Sequence, residues 1–318
     1  MKARILFASD IHASDITFRK FLSAFRVYKA DYLIYGGDLT GKAVIPIFRS
    51  ENHHYKTTFL GQNFEVDEPN LGNLLSRIAN VGYYGYVTDR NEWDDLINSP
   101  QKIERLSIDL QVERLQGWMN LIEEKFPEMR SKGKIFIMPG NDDTYEIDKI
   151  LNNSEFVINP QDKVVNLDGE HEMIGISNAN MTPWKCYRDI KEEDLTNKID
   201  NLASKITSLD RSIFLIHVPP YGTGIDMGPK LDENFRPEVS PTGGIVTIPV
   251  GSIAVRKAIE KYQPMLGLHG HIHESKGVVK IGRTLSINPG SEYSEGILKS
   301  AIIDINENKV KDYIFASG

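Results

Sequence analysis

A series of short apolar runs, each ending in residues that bind metal ions, constrains this chain more than any other feature. Ile5-Leu6-Phe7-Ala8 leads into Ser9-Asp10-Ile11-His12, and Tyr32-Leu33-Ile34-Tyr35 into Gly36-Gly37-Asp38. Ile135-Phe136-Ile137-Met138 leads to Gly140-Asn141-Asp142, and Ile213-Phe214-Leu215-Ile216 to His217. Met265-Leu266-Gly267-Leu268 precedes His269-Gly270-His271-Ile272-His273. Runs this short and this apolar read as strands buried on both faces. In an open α/β sheet, ligands collect at the carboxyl ends of the strands. The sequence therefore predicts one edge at which Asp10, His12, Asp38, Asn141, His217, His271 and His273 converge.

The spacing between the runs predicts strands alternating with helices, then a β-rich C-terminal half, in a two-sheet layered domain. Helices are expected over residues 17–28, 103–126, 144–151 and 192–208, and from a Ser252 cap to Tyr262. Asp143, with Glu146 three residues on, reads as the N-cap of the third. Residues 41–100 break the pattern: irregular and aromatic, with one short helix near 71–79. A structureless connection that long is improbable inside a compact domain, so the chain reads as a single domain over 1–318 with an insertion at 41–100 that has its own small fold.

Composition sets the surroundings. Lys and Arg total 37 against 44 Asp and Glu, a net charge of −7. This argues against a nucleic-acid backbone as the main partner, although a local basic groove is compatible with it. Cys186 is the only cysteine, which suits a reducing cytoplasm. The N-terminal apolar stretch is too short for a signal peptide and no run approaches a membrane span, so the expectation is a cytoplasmic protein without a membrane partner. The sequence leaves oligomerisation open.

Two carboxylates, a carboxamide and four imidazoles make a mixed donor set that suits manganese, iron, zinc or nickel better than magnesium or calcium. Paired divalent ions of this kind hydrolyse phosphate esters: they activate a shared water and clamp the phosphoryl oxygens. The ordered motifs resemble those of the calcineurin-like metallophosphoesterase superfamily: Asp-x-His, Gly-Asp, Gly-Asn-His-Asp/Glu, a lone His, and Gly-His-x-His. The match runs from Asp10 to His273, and Asn288-Pro289-Gly290-Ser291 is similar to the tail of its small prokaryotic members. The resemblance implies a four-layered α/β/β/α sandwich with the site at the strand ends. It also implies that Asp10, His12 and His273 hold one metal, Asn141, His217 and His271 the other, and that Asp38 bridges them.

One position departs from the pattern. The family places His directly after the Asn, against the phosphate, whereas this chain has Asp142 there, making it the candidate catalytic residue beside the metals. Two divalent cations less Asp10, Asp38 and a bridging hydroxide leave about one positive charge, which attracts an anion. An ionised Asp142 offsets that charge and repels a dianion, so the reading leans to phosphodiesters. The alternatives are a phosphomonoesterase acting on a nucleotide or small metabolite, and a catalytically weak protein-interaction module on the same fold. The expected partner is a small phosphate-ester substrate.

Other residues attract plainer readings. His269 is expected to pack behind the ligands. His53, His54, Lys56 and Arg90 read as solvated surface of the insertion, and Tyr83, Tyr84 and Tyr86 as its small core. His171 reads as a hairpin tip and Arg188 as surface.

Overall fold

The side chains of strand Ala3–Ala8 explain why the fold has four layers. Leu6 and Ala8 face a core shared with helices, while Ile5 and Phe7 face a core shared with a second sheet. A strand whose two faces meet two different cores must be apolar throughout, which is why these runs do not alternate. The computed structural model describes residues 2–41, 43–127 and 134–318.

The first sheet has the order Lys309–Ser317, Lys299–Asn306, Ala3–Ala8, Tyr32–Tyr35, Ile135–Ile137, Val157–Ile158. Its last four strands are parallel and the C-terminal hairpin joins antiparallel to Ala3–Ala8. The second sheet runs Gly277–Ile281, Thr284–Asn288, Leu266–Leu268, Ile213–Ile216, Glu172–Ile176, Val164–Asn166, with the central four parallel. Between the sheets lies a core that includes Ile34, Phe136, Met173, Leu215, Leu268 and Ile303.

Helices Asp15–Val27, Pro100–Lys125 and Ile147–Asn153 cover the outer face of the first sheet. Helices Glu192–Ala203 and Ile253–Tyr262 cover the second through Leu195, Ile199, Val255 and Ile259. The result is an α/β/β/α sandwich. Helix Asp15–Val27 starts ahead of the predicted boundary because the Ser14 side chain accepts from the Thr17 N–H, capping it there. Its Phe18 ring stacks on Trp118 at 4.1 Å, tying it to the long helix.

Residues 41–100 are not irregular. Strands Gln62–Asp67, His54–Phe59, Val44–Arg49 and Tyr84–Thr88 form a third sheet in that order, and helix Glu68–Asn80 packs on it. A small core of Ile47, Phe59, Leu74 and Ile78 holds this unit together. Its strands alternate too weakly to announce themselves. Only Thr57 and Phe59 of His54–Phe59 are buried, and Pro46 lies within Val44–Arg49, flanked on both sides by other strands. Proline in an inner strand is ordinarily evidence against one.

Candidate metal centre

The ligand loops are zipped together by backbone. The Asp10 N–H donates to the Gly37 carbonyl at 2.9 Å, His12 N–H to Asp38 at 3.1 Å, and Ala13 N–H to Leu39 at 2.7 Å. To make these turns Asp10, His12, Ala13, Asp38 and His271 take left-handed φ values of 59°, 40°, 63°, 54° and 67°. Non-glycine residues seldom do this, and in a packed site it marks backbone held by its surroundings. Gly140 is demanded by closeness instead: a Cβ there would sit 2.1 Å from Asp38 Oδ1.

The side chains meet in two groups. Ligand atoms of Asp10, His12 and His273 lie within 4.8 Å of one another, and so do those of Asp38, His217 and His271. Asp38 joins the groups: its Oδ2 is 3.7 Å from His12 Nε2 and 3.3 Å from His217 Nε2. His12 Nε2 and His273 Nε2 face each other at 3.0 Å, hydrogen-bond distance, the tautomers deciding which of them donates. His217 Nδ1 sits 2.8 Å from the Gly36 carbonyl and so carries a proton, which aims Nε2 at the carboxylates. That Nε2 and Asn141 Oδ1 are both buried and meet no hydrogen-bond partner among the described residues. Buried polar atoms left without a partner in a polar cleft suit a metal site.

The electrostatics agree. Burial alone raises the Asp38 carboxyl, but the surrounding His217, His12 and His271 outweigh it and hold it well below the usual range. Burial lowers His217, yet Asp38 and Asp10 push it up to about 10. His271, beside His217, is lowered by burial and by that neighbour to about 4 and stays neutral, as a ligand must. Two buried carboxylates thus draw positive charge into the cleft, and the donor set fits divalent metals.

Behind the ligands lies a second group of residues. Asn141 Nδ2 donates to Asp189 Oδ1 at 2.8 Å, which fixes the amide and leaves its buried oxygen without a partner among the described residues. The other Asp189 oxygen accepts from Thr182 N–H at 3.0 Å and Cys186 N–H at 2.9 Å. Asp143 does not cap a helix: that helix starts at Ile147, and the Asp143 carboxylate instead accepts from Leu39, Thr40 and Gly140 N–H. It thereby clamps the Asp38 loop to the Asn141 loop. Arg188 is not surface but 1% exposed. Its guanidinium donates to the Asp143 and Thr144 carbonyls at 2.8 and 2.6 Å and pairs with Asp148 at 2.7 Å, while its N–H donates to the Asn141 carbonyl at 3.0 Å. Nothing in the run Trp184-Lys185-Cys186-Tyr187 marks this arginine, because its partners are mostly carbonyls that any sequence offers.

The Asn288-Pro289-Gly290-Ser291 segment closes the other side. Asn288 Nδ2 reaches the Gly270 and Ile272 carbonyls, at 3.3 and 3.0 Å, and Ser291 Oγ bonds the Asp10 carbonyl. Asp142 lies at the centre: its N–H donates to Asp38 Oδ1 at 3.0 Å and its carboxylate groups with His12 and Asp38. His269 is fully buried with Nδ1 against the Ile216 carbonyl, and burial lowers it to about 4. His53 and Lys56 pair with Glu68 and Glu65 of their own sheet unit. His171 lies at the tip of the hairpin between Val164–Asn166 and Glu172–Ile176, as expected, and is buried there against Asp168 at 2.7 Å and the Asn306 carbonyl.

Fold and site together show two packed sheets, with ordered ligand motifs at the strand ends that form candidate metal-binding groups. The ordered ligand motifs and the fold are similar to those of the calcineurin-like metallophosphoesterase superfamily. No family profile matches it. It is 33% identical over 169 residues to the uncharacterised protein MJ1162 of Methanocaldococcus jannaschii, covering 52% of this chain and 68% of that one. Among solved structures, TT1561 of Thermus thermophilus shares the fold at a TM-score of 0.55, with 15% identity over 100% of this chain and 99% of that one. A second crystal structure aligns at a TM-score of 0.57, with 16% identity over 98% of both chains. Among the described residues no helix is long and apolar enough to cross a membrane.

Proposed function

We propose that this protein is a metal-dependent phosphoesterase with a two-metal centre. Asp10, His12 and His273 would hold one divalent ion, Asn141, His217 and His271 the other, and Asp38 would serve both. The observation that carries this reading is the position of Asp38 Oδ2 between His12 and His217, at 3.7 and 3.3 Å. When bound, such metals supply Lewis acidity toward a phosphoryl oxygen and a water acidified to near neutral pH.

The chain's own residues prepare that chemistry. The Gly36 carbonyl fixes the tautomer of His217, and Asp189 fixes the rotamer of Asn141, so neither ligand has to reorganise. The Asp142 N–H bond to Asp38 steadies the shared carboxylate. The Asp142 side chain brings a third acidic group to the cleft, beside His12 and Asp38. It therefore opposes a dianionic monoester more than a singly charged diester, and phosphodiesters are the favoured substrate class.

Purified protein supplied with manganese should hydrolyse bis-p-nitrophenyl phosphate faster than p-nitrophenyl phosphate. Asp38→Ala should lower metal content at both positions and abolish turnover of both esters. Reversed preference would replace the diesterase reading with a monoesterase. Full metal occupancy without turnover of any ester would favour an interaction module.

A further inference from the structure

The departure from the family pattern at Asp142 removes a hydrogen-bond donor from the cleft and puts an acidic residue in its place. Each of the four imidazoles proposed as ligands must turn a nitrogen to a metal, so none of those nitrogens is free to donate to substrate. A phosphate held there still presents oxygens that want a donor. One polar side chain at the rim has an uncommitted hydroxyl.

The Tyr293 ring lies 4.8 Å from the His12 ring and edge-on to His273 at 5.9 Å, against two ligands of one proposed metal. Its backbone is fixed: Ser291, two residues before it, bonds the Asp10 carbonyl, and the turn is closed by Gly296 N–H donating to the Tyr293 carbonyl at 2.9 Å. The ring is fixed too. Gly82, at the foot of the third sheet with φ +89°, passes so close that a Cβ would come within 3.0 Å of Tyr293 Cε2 and 2.4 Å of the His12 carbonyl. The ring is therefore trapped, half-buried, between the ligand histidines and the Gly82 turn. Among the described residues its hydroxyl meets no hydrogen-bond partner.

We propose that Tyr293 is a substrate-binding residue whose hydroxyl donates a hydrogen bond to a phosphoryl oxygen, filling the donor role left open by Asp142. The inference rests on the phosphoesterase reading and adds a residue to it. As a neutral donor the phenol needs no proton transfer: it stays protonated while it binds substrate and after the ester is cleaved. The donor also comes from a residue braced by the third sheet, so that unit takes part in shaping the substrate site.

The test is Tyr293→Phe, which keeps the ring and its packing and removes only the oxygen. With manganese loaded into both proteins, inorganic phosphate binding is measured by calorimetry, metal content by elemental analysis, and turnover on bis-p-nitrophenyl phosphate. The expected result is unchanged metal content, phosphate binding weakened roughly 10- to 100-fold, as for loss of one hydrogen bond to a charged group, and a comparable fall in kcat/KM. Phosphate binding and kcat/KM both unchanged would overturn the proposal while leaving the phosphoesterase reading intact. Loss of metal from the variant would also overturn it, reducing Tyr293 to a prop for His12. Wild-type protein that neither binds phosphate nor cleaves the ester would sink both readings together.

Discussion

The loop around Asn141 and the sheet unit between Val44 and Thr88 both contribute to the cleft, yet they are held by opposite means. The Asn141 loop is held by buried polar contacts: Arg188, Asp143 and Asp189 satisfy its carbonyls, N–H groups and amide. The sheet unit is held by a small apolar core, with Ile47, Phe59, Leu74 and Ile78 buried and much of its remaining surface exposed. Polar networks of the first kind fix geometry to fractions of an ångström, because each bond is directional and an unmade one is costly. A small apolar core fixes a shape but leaves the unit able to open on its own. The protein thus puts precision where ligands must be aimed, and looser packing where it borders the cleft.

Arg188→Leu should break that contrast most severely. It leaves the Asp143 and Thr144 carbonyls and the Asp148 carboxylate without their buried partner, at a cost of about 3–5 kcal/mol in a urea titration. A midpoint unchanged from wild type would mean that the network merely fills space. Ile78→Ala should cost somewhat less, about 2–4 kcal/mol, by emptying part of a small core. Its signature is local: hydrogen exchange should quicken across residues 44–88 while the sandwich strands hold. Equal quickening everywhere would show that the unit is not separately cored. Asp189→Ala frees the Asn141 amide to rotate and should weaken metal binding about 10- to 100-fold with little effect on the urea midpoint. If Asn141 Nδ2 needs no partner, metal affinity will stay put.

The smallest effect belongs to a network away from the cleft, at Asp168 and His171. Burial raises the Asp168 carboxyl, but the Glu170 N–H and the His171 ring and N–H outweigh it and hold the group below its usual value. A carboxyl depressed by folding adds stability above its unfolded pKa of about 3.9 and loses it as pH falls through the folded value. Asp168→Asn should therefore flatten the acid limb of stability below about pH 4 and leave its slope near pH 7 unchanged. Identical acid limbs in variant and wild type would remove Asp168 from the linkage.

The contrast between the two regions also explains what could be read from the sequence. Asp10, Asp38 and His217 stand at the ends of apolar runs, so strand and ligand announce each other, and the double sandwich follows from how many such runs there are. Asp143 looked like a helix cap because an acidic residue before a helical stretch ordinarily is one; its real partners, the Leu39 and Thr40 N–H groups, lie more than a hundred residues away in sequence. Arg188 was hidden for the same reason. The third sheet was hidden for another: its strands are half polar, and Pro46 contradicts the strand it occupies. Tyr293 had no local signal at all, and only its seat against His12, His273 and Gly82 reveals it.

The left-handed backbone at Asp10, His12, Ala13, Asp38 and His271 has a consequence for traffic through the site. Each such residue stores on the order of 1–3 kcal/mol, released only if its loop lets go. The loops, locked by their mutual N–H bonds, keep this shape with or without cargo. An incoming ion therefore finds a finished socket and has only its own water to shed. Uptake of a metal by the empty site should run at rates set by the hydration of the ion, ordering the metals by how fast they lose water, while their release is ordered by how well they suit the ligands.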